Sequence, residues 1–155
     1  MDLFGRFLQV FDALEREKVD YVLIGGFAVI LHGFPRLTQD IDLFIKPDEE
    51  NVKRVVRCLK SIFNDSSIDD IDLKMLKKYP VVRYGSPEGF FIDLIIAIGE
   101  AFQYDDTRYE VREIEGHHIR LATAETLYKM KKDTMRPVDK SDSLFLKELI
   151  DKTRG

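Results

Sequence analysis

The sequence predicts an α/β domain, and three observations carry the prediction. Amphipathic helical patterns alternate with short β-favouring runs. An apolar strand at 20–24 runs into Gly25-Gly26 and a short helix, and a second strand at 39–45 alternates apolar with acidic positions.

In chain order, residues 2–17 place Leu3, Phe7, Val10, Phe11 and Leu14 at helical spacing, which predicts a helix leaning on the sheet. Strand 20–24, the glycine turn and a helix over Phe27 to Leu31 follow, with Gly33-Phe34-Pro35 as the break before strand 39–45. Pro47 ends that strand and Asp48 caps a helix over 49–62 with Val52, Val55, Val56, Leu59 and Phe63 inward. Residues 64–79 read as a loop with a helical turn or two. Val81 to Tyr84 and Phe90 to Ile96 read as strands joined by Gly85-Ser86-Pro87-Glu88-Gly89. Tyr109 to Ile114 and His118 to Leu121 form a hairpin across Glu115-Gly116-His117. Thr123 caps a helix over Ala124 to Lys132, and a last helix over 141–152 turns Leu144, Phe145 and Leu149 inward, with Leu146 and Ile150 less regular.

The chemistry concentrates in residues 21–45. Glycines without Cβ let a ligand approach the backbone, and a helix beginning there aims its N–H groups and positive dipole end at an anion. The strand period of two sends Ile41, Leu43 and Ile45 to one face and Asp40, Asp42 and Phe44 to the other. Carboxylates so close repel unless a cation sits between them or one takes a proton, and a hard divalent ion suits oxygen ligands. In the later strand Asp93 shares a face with Phe91 and Ile95 and is the single charge within Phe90 to Ile98. Arg83 on the neighbouring strand is an alternative partner for it. The segment 129–142, with Lys131, Arg136, Asp139 and Asp142, is the clearest basic patch. From the residues alone it reads as ion pairs of Arg136 and Lys140 with Asp139 and Asp142 that fix a helix junction. His32 and the pair His117-His118 read as structural.

Gly25-Gly26-Phe27-Ala28, Arg36 and Thr38, then Asp40-Ile41-Asp42, resemble the signature of the polymerase-β-type nucleotidyltransferase superfamily. The Gly-Gly-aromatic-Ala variant and the Arg-x-Thr-x-Asp-x-Asp run resemble its small bacterial Gly-Gly branch, which includes antibiotic adenylyltransferases and the nucleotidyltransferases of abortive-infection toxin-antitoxin systems. The likeness covers residues 20–96 well and 119–149 loosely. It implies a nucleotidyltransferase fold with a mixed β-sheet flanked by helices, and transfer of a nucleoside monophosphate from an NTP, ATP by default, to a hydroxyl with release of pyrophosphate. It further implies Mg²⁺ or Mn²⁺ held by Asp40, Asp42 and Asp93, with Asp93 either a metal ligand or the general base. Gly25, Gly26, Arg36, Thr38, Lys131 and Arg136 are the expected nucleotide contacts. A toxin-antitoxin component that modifies or binds a partner protein or RNA is the rival reading. A catalytically dead nucleotide-binding domain is a third, opposed by the intact Asp40, Asp42 and Asp93.

Length and composition bound these readings. With 155 residues, 45% hydrophobic and 34% charged, the chain suits one domain over 1–155. Its apolar runs are too short to span a membrane, and the N-terminus lacks a secretory pattern, so a cytoplasmic protein is expected. Cys58 is the lone cysteine, which excludes an internal disulfide or cysteine zinc site. A net charge of -4 argues against a general nucleic-acid coat but leaves room for a local basic cleft. The stretch after Asp93 is too short for the helical lobe that holds the acceptor in larger relatives. The acceptor pocket is therefore expected to be shallow, shared across a homo-oligomer or supplied by another protein.

Overall fold

The computed structural model describes residues 2–98, 102–131 and 137–154. Its strands are β1 (Tyr21–Ile24), β2 (Asp40–Ile45), β3 (Val82–Gly85), β4 (Phe91–Ile95), β5 (Ala97–Ile98), β6 (Phe102–Gln103), β7 (Tyr109–Ile114) and β8 (His117–Ala122). Its helices are α1 (Leu3–Arg16), α2 (Gly25–Leu31), α3 (Glu49–Ile62), α4 (Leu73–Lys78), α5 (Ala124–Lys131) and α6 (Pro137–Arg154). Six strands form one sheet in the order β3-β4-β2-β1-β8-β7, while β5 and β6 pair separately. The sheet is mixed, as expected: β2 runs parallel to β4 and β1 parallel to β8, and the other neighbours are antiparallel.

All four residues of β1 are buried, which suits a strand at the centre of the sheet. Against it α1 buries Phe7, Leu8, Val10, Phe11, Ala13 and Leu14. Phe7 meets Phe27 of α2 edge-on at 4.8 Å and Phe90 at 5.4 Å, so one aromatic cluster seats the short helix after the glycines. Asn51 on α3 is fully buried and ties two strand ends together. Its Oδ1 accepts from the Asp20 amide at 2.7 Å, and its Nδ2 donates to the carbonyls of Asp20 at 2.9 Å and Lys46 at 3.0 Å.

The expected elements form with small shifts. Residues 64–79 hold a 3₁₀ turn, Ser66–Asp70, and α4, each started by an aspartate whose carboxylate accepts from a backbone amide: Asp65 from Ser67 and Asp72 from Met75. The β7–β8 hairpin closes on two residues instead of three, Glu115 and Gly116, both with positive φ (49° and 83°), the geometry that matches strand twist. In α6 the inward side differs from the expected stripe. Leu144 is 67% exposed, whereas Leu146 and Ile150 are buried together with Asp139 and Asp142. The buried stripe thus begins with two aspartates, which an apolar pattern does not register.

Candidate active site

Five successive residue pairs join β2 to β4, and the third sets Asp42 directly beside Asp93. Asp40 lies opposite Phe91 two residues earlier, on the same face. Further along that face Phe44 is buried against Phe102 and Tyr104, so the carboxylates line the open end of an apolar floor. Burial pushes the Asp42 carboxyl up to about 7, helped by the charge of Asp93, a hydrogen bond between the two carboxyls and the charge of Asp40; Lys131 pulls the other way.

Gly25 places the backbone against this pair. It has φ +74°, and a Cβ on it would fall 1.9 Å from Asp42 Oδ2. The first residue of α2 therefore lies under a carboxylate at a distance only glycine permits, and α2 starts without a side-chain cap. A Cβ on Gly26 would fall 2.9 Å from Arg36 Nη2. The Arg36 guanidinium thus rests on the first turn of α2, where Nη1 donates to Asp142 Oδ2 at 2.6 Å.

Asp142, fully buried on α6, also meets Lys131 Nζ at 3.1 Å, and Lys131 donates to Asp139 Oδ1 at 2.8 Å. Arg36, Lys131, Asp139 and Asp142 so form a buried network tying α5 and α6 to the loop before β2. Asp142 Oδ1 has no hydrogen-bond partner among the described residues. Among the described residues Asp139 pairs with Lys131, and Asp142 with Lys131 and Arg36. Arg136 lies outside the described residues. Thr38 shapes the start of β2, its hydroxyl accepting from the Asp40 amide at 3.2 Å.

Arg83 takes the part the sequence offered as the alternative for Asp93, and it reaches Asp40 as well. It faces Asp93 across the β3–β4 ladder. Nε donates to Asp93 Oδ1 at 2.8 Å, while Nη2 donates to Asp93 Oδ2 at 3.0 Å and Asp40 Oδ2 at 3.2 Å. The acidic face therefore already holds a cation, a guanidinium bridging Asp40 and Asp93, and these bonds raise the Arg83 pKa. With the side chains so placed, no group of three His, Cys, Asp or Glu among the described residues is arranged to hold a metal ion. The donor set itself, carboxylate oxygens on one face drawn around a positive charge, has the chemistry a hard divalent ion requires. His32 is structural, as expected: Nε2 lies 2.8 Å from the Ala122 carbonyl and burial lowers its pKa.

Residues 6–142 match the family described as "Nucleotidyl transferase AbiEii toxin, Type IV TA system". Among solved structures the fold is similar to an antigenic nucleotidyltransferase-like protein from Paracoccidioides brasiliensis, with TM-score 0.60 and 17% identity over 95% of this chain and 76% of that one. It is also similar to the antibiotic-resistance factor ANT(2'')-Ia, with TM-score 0.55 and 17% identity over 97% of this chain and 86% of that one. At such identities the likeness is one of fold. No curated protein sequence matches the chain. No helix among the described residues is long and apolar enough to cross a membrane.

Proposed function

Because the chain belongs to the AbiEii nucleotidyltransferase toxin family, we propose that it moves a nucleoside monophosphate from an NTP, with ATP as donor, to a hydroxyl acceptor, releasing pyrophosphate. The observation that carries this reading is the pairing of Asp42 with Asp93 on adjacent parallel strands, over the backbone of Gly25. Asp40, Asp42 and Asp93 would hold Mg²⁺ or Mn²⁺. When bound, that ion offsets triphosphate charge and makes the attacking hydroxyl more acidic.

The chain's own residues do the rest. The uncapped first turn of α2 offers amides to phosphate oxygens, and Arg36, resting on that turn, adds a guanidinium suited to bidentate contact. Thr38 sets the direction of Asp40. Lys131 holds Asp142, which in turn holds Arg36, so its part is to position the phosphate-facing guanidinium. Asp93 is a ligand or accepts the hydroxyl proton.

The decisive experiment incubates the protein with each α-labelled NTP, Mg²⁺ or Mn²⁺, and cell extract. Labelled product should form and be lost in Asp40→Ala and Asp42→Ala; equal labelling by those variants would remove the mechanism. The family description favours a second reading, in which the acceptor is a partner protein or RNA of a toxin-antitoxin pair. Label would then move to a macromolecule and to no small hydroxyl compound.

A further inference from the structure

We propose, resting on the metal-dependent reading above, that Arg83 is a resident counter-cation: it holds Asp40 and Asp93 in the metal-free protein and competes with the divalent ion for them. Both oxygens of Asp93 and one of Asp40 are engaged by one guanidinium, at 2.8, 3.0 and 3.2 Å. A metal ion would draw on the same two carboxylates, and two positive charges crowded onto them repel, so the guanidinium and the ion compete for the site.

The surroundings favour an arginine that can leave over one that is fixed. The Asp93 side chain is only 9% exposed, whereas that of Arg83 is 50% exposed, so the carboxylate stays while the guanidinium has open solvent beside it. The guanidinium carbon lies 4.5 Å from the centre of the Phe91 ring, a contact that does not depend on the carboxylates. Arg36 and Lys131 are bound instead to Asp142, outside the proposed metal set. Arg83 therefore screens carboxylates that would otherwise repel one another, and it sets the ion concentration at which the site loads.

The test is a Mn²⁺ titration of the full chain without nucleotide, reading free Mn²⁺ by electron paramagnetic resonance. Arg83→Met should bind Mn²⁺ about ten- to a hundredfold more tightly than the natural protein, the cost of displacing a charged, half-exposed guanidinium from two carboxylates. Arg83→Lys, which lacks the fork, should lie between them. In the natural protein the Arg83 Nε–H resonance, assigned by its loss in Arg83→Lys, should shift when Mg²⁺ saturates the site; this readout also decides the matter if Arg83→Met does not fold. Unchanged or weaker Mn²⁺ binding by Arg83→Met, with binding reduced in Asp40→Asn, overturns the proposal and leaves the metal reading standing. An Nε–H resonance indifferent to saturating Mg²⁺ overturns it as well. If Asp40→Asn and Asp42→Asn bind Mn²⁺ like the natural protein, the metal reading falls first.

Discussion

Replacing Gly25 with alanine tests whether the backbone bend and the acidic pair form one unit. Two costs arise at the same atom. Gly25 has φ +74°, where a residue with Cβ loses about 1–2 kcal/mol. The new Cβ would also lie 1.9 Å from Asp42 Oδ2. Restoring ordinary contact moves the carboxylate or the helix start by more than about 1 Å, a displacement that costs on the order of a hundredfold in rate at a reacting centre. Gly25→Ala should therefore lower stability by about 1–3 kcal/mol in urea melts and cut label transfer by about a hundredfold or more. Gly26→Ala is the internal comparison. It has no positive φ, and the nearest atoms its Cβ would meet are the end of the flexible Arg36 side chain at 2.9 Å, so the fold should hold while the Arg36–Asp142 link opens. A Gly25→Ala protein with unchanged melting and transfer within twofold of the natural protein would refute the coupling of bend and carboxylate.

Two further outcomes follow from the same geometry. Asp42 has its pKa raised from 3.8 to about 7, so the folded protein binds that proton more tightly than the unfolded chain, and stability falls as pH rises through this window. In chelator, Asp42→Asn should gain stability over the natural protein between about pH 4 and 7, up to ~4 kcal/mol, and no more above it; parallel stability profiles for the two proteins across that range would contradict the burial argument. Lys131→Met strips Asp142 of one of its two cations in a buried setting and should cost about 3 kcal/mol. A double-mutant cycle with Asp142→Asn should show strong coupling, and additive effects would deny the network.

How legible the site was depends on whether each part is local or not. The alternation in 39–45 placed Asp40 and Asp42 on one face, and Asp93 stood out as a lone charge in an apolar run. The bond between them was not written in either segment, because the register of β2 on β4 is settled by the whole sheet. Arg83 was visible as an alternative partner of Asp93, but its reach to Asp40 depends on β4 lying between β3 and β2. Asn51 offered no sequence signal, since a buried amide reads as polar surface until its three backbone partners are known. The inward side of α6 was mistaken at Leu144 for a related reason: Asp139 and Asp142 complete the stripe and are kept buried by Lys131 and Arg36. The two capped turns in 64–79 were within reach, because Asp65 and Asp72 carry a local start signal that loop-like composition conceals.

The neighbourly spacing of Asp42 and Asp93 comes from the interstrand repeat of the sheet, about 4.8 Å, and owes nothing to the size of the side chains packed beneath. Drift in the hydrophobic interior can loosen or tighten the protein without altering that interval. A one-residue deletion in either strand, by contrast, would turn a carboxylate toward the opposite surface in a single step. The acidic pair thereby behaves as a built-in ruler, set by the sheet itself.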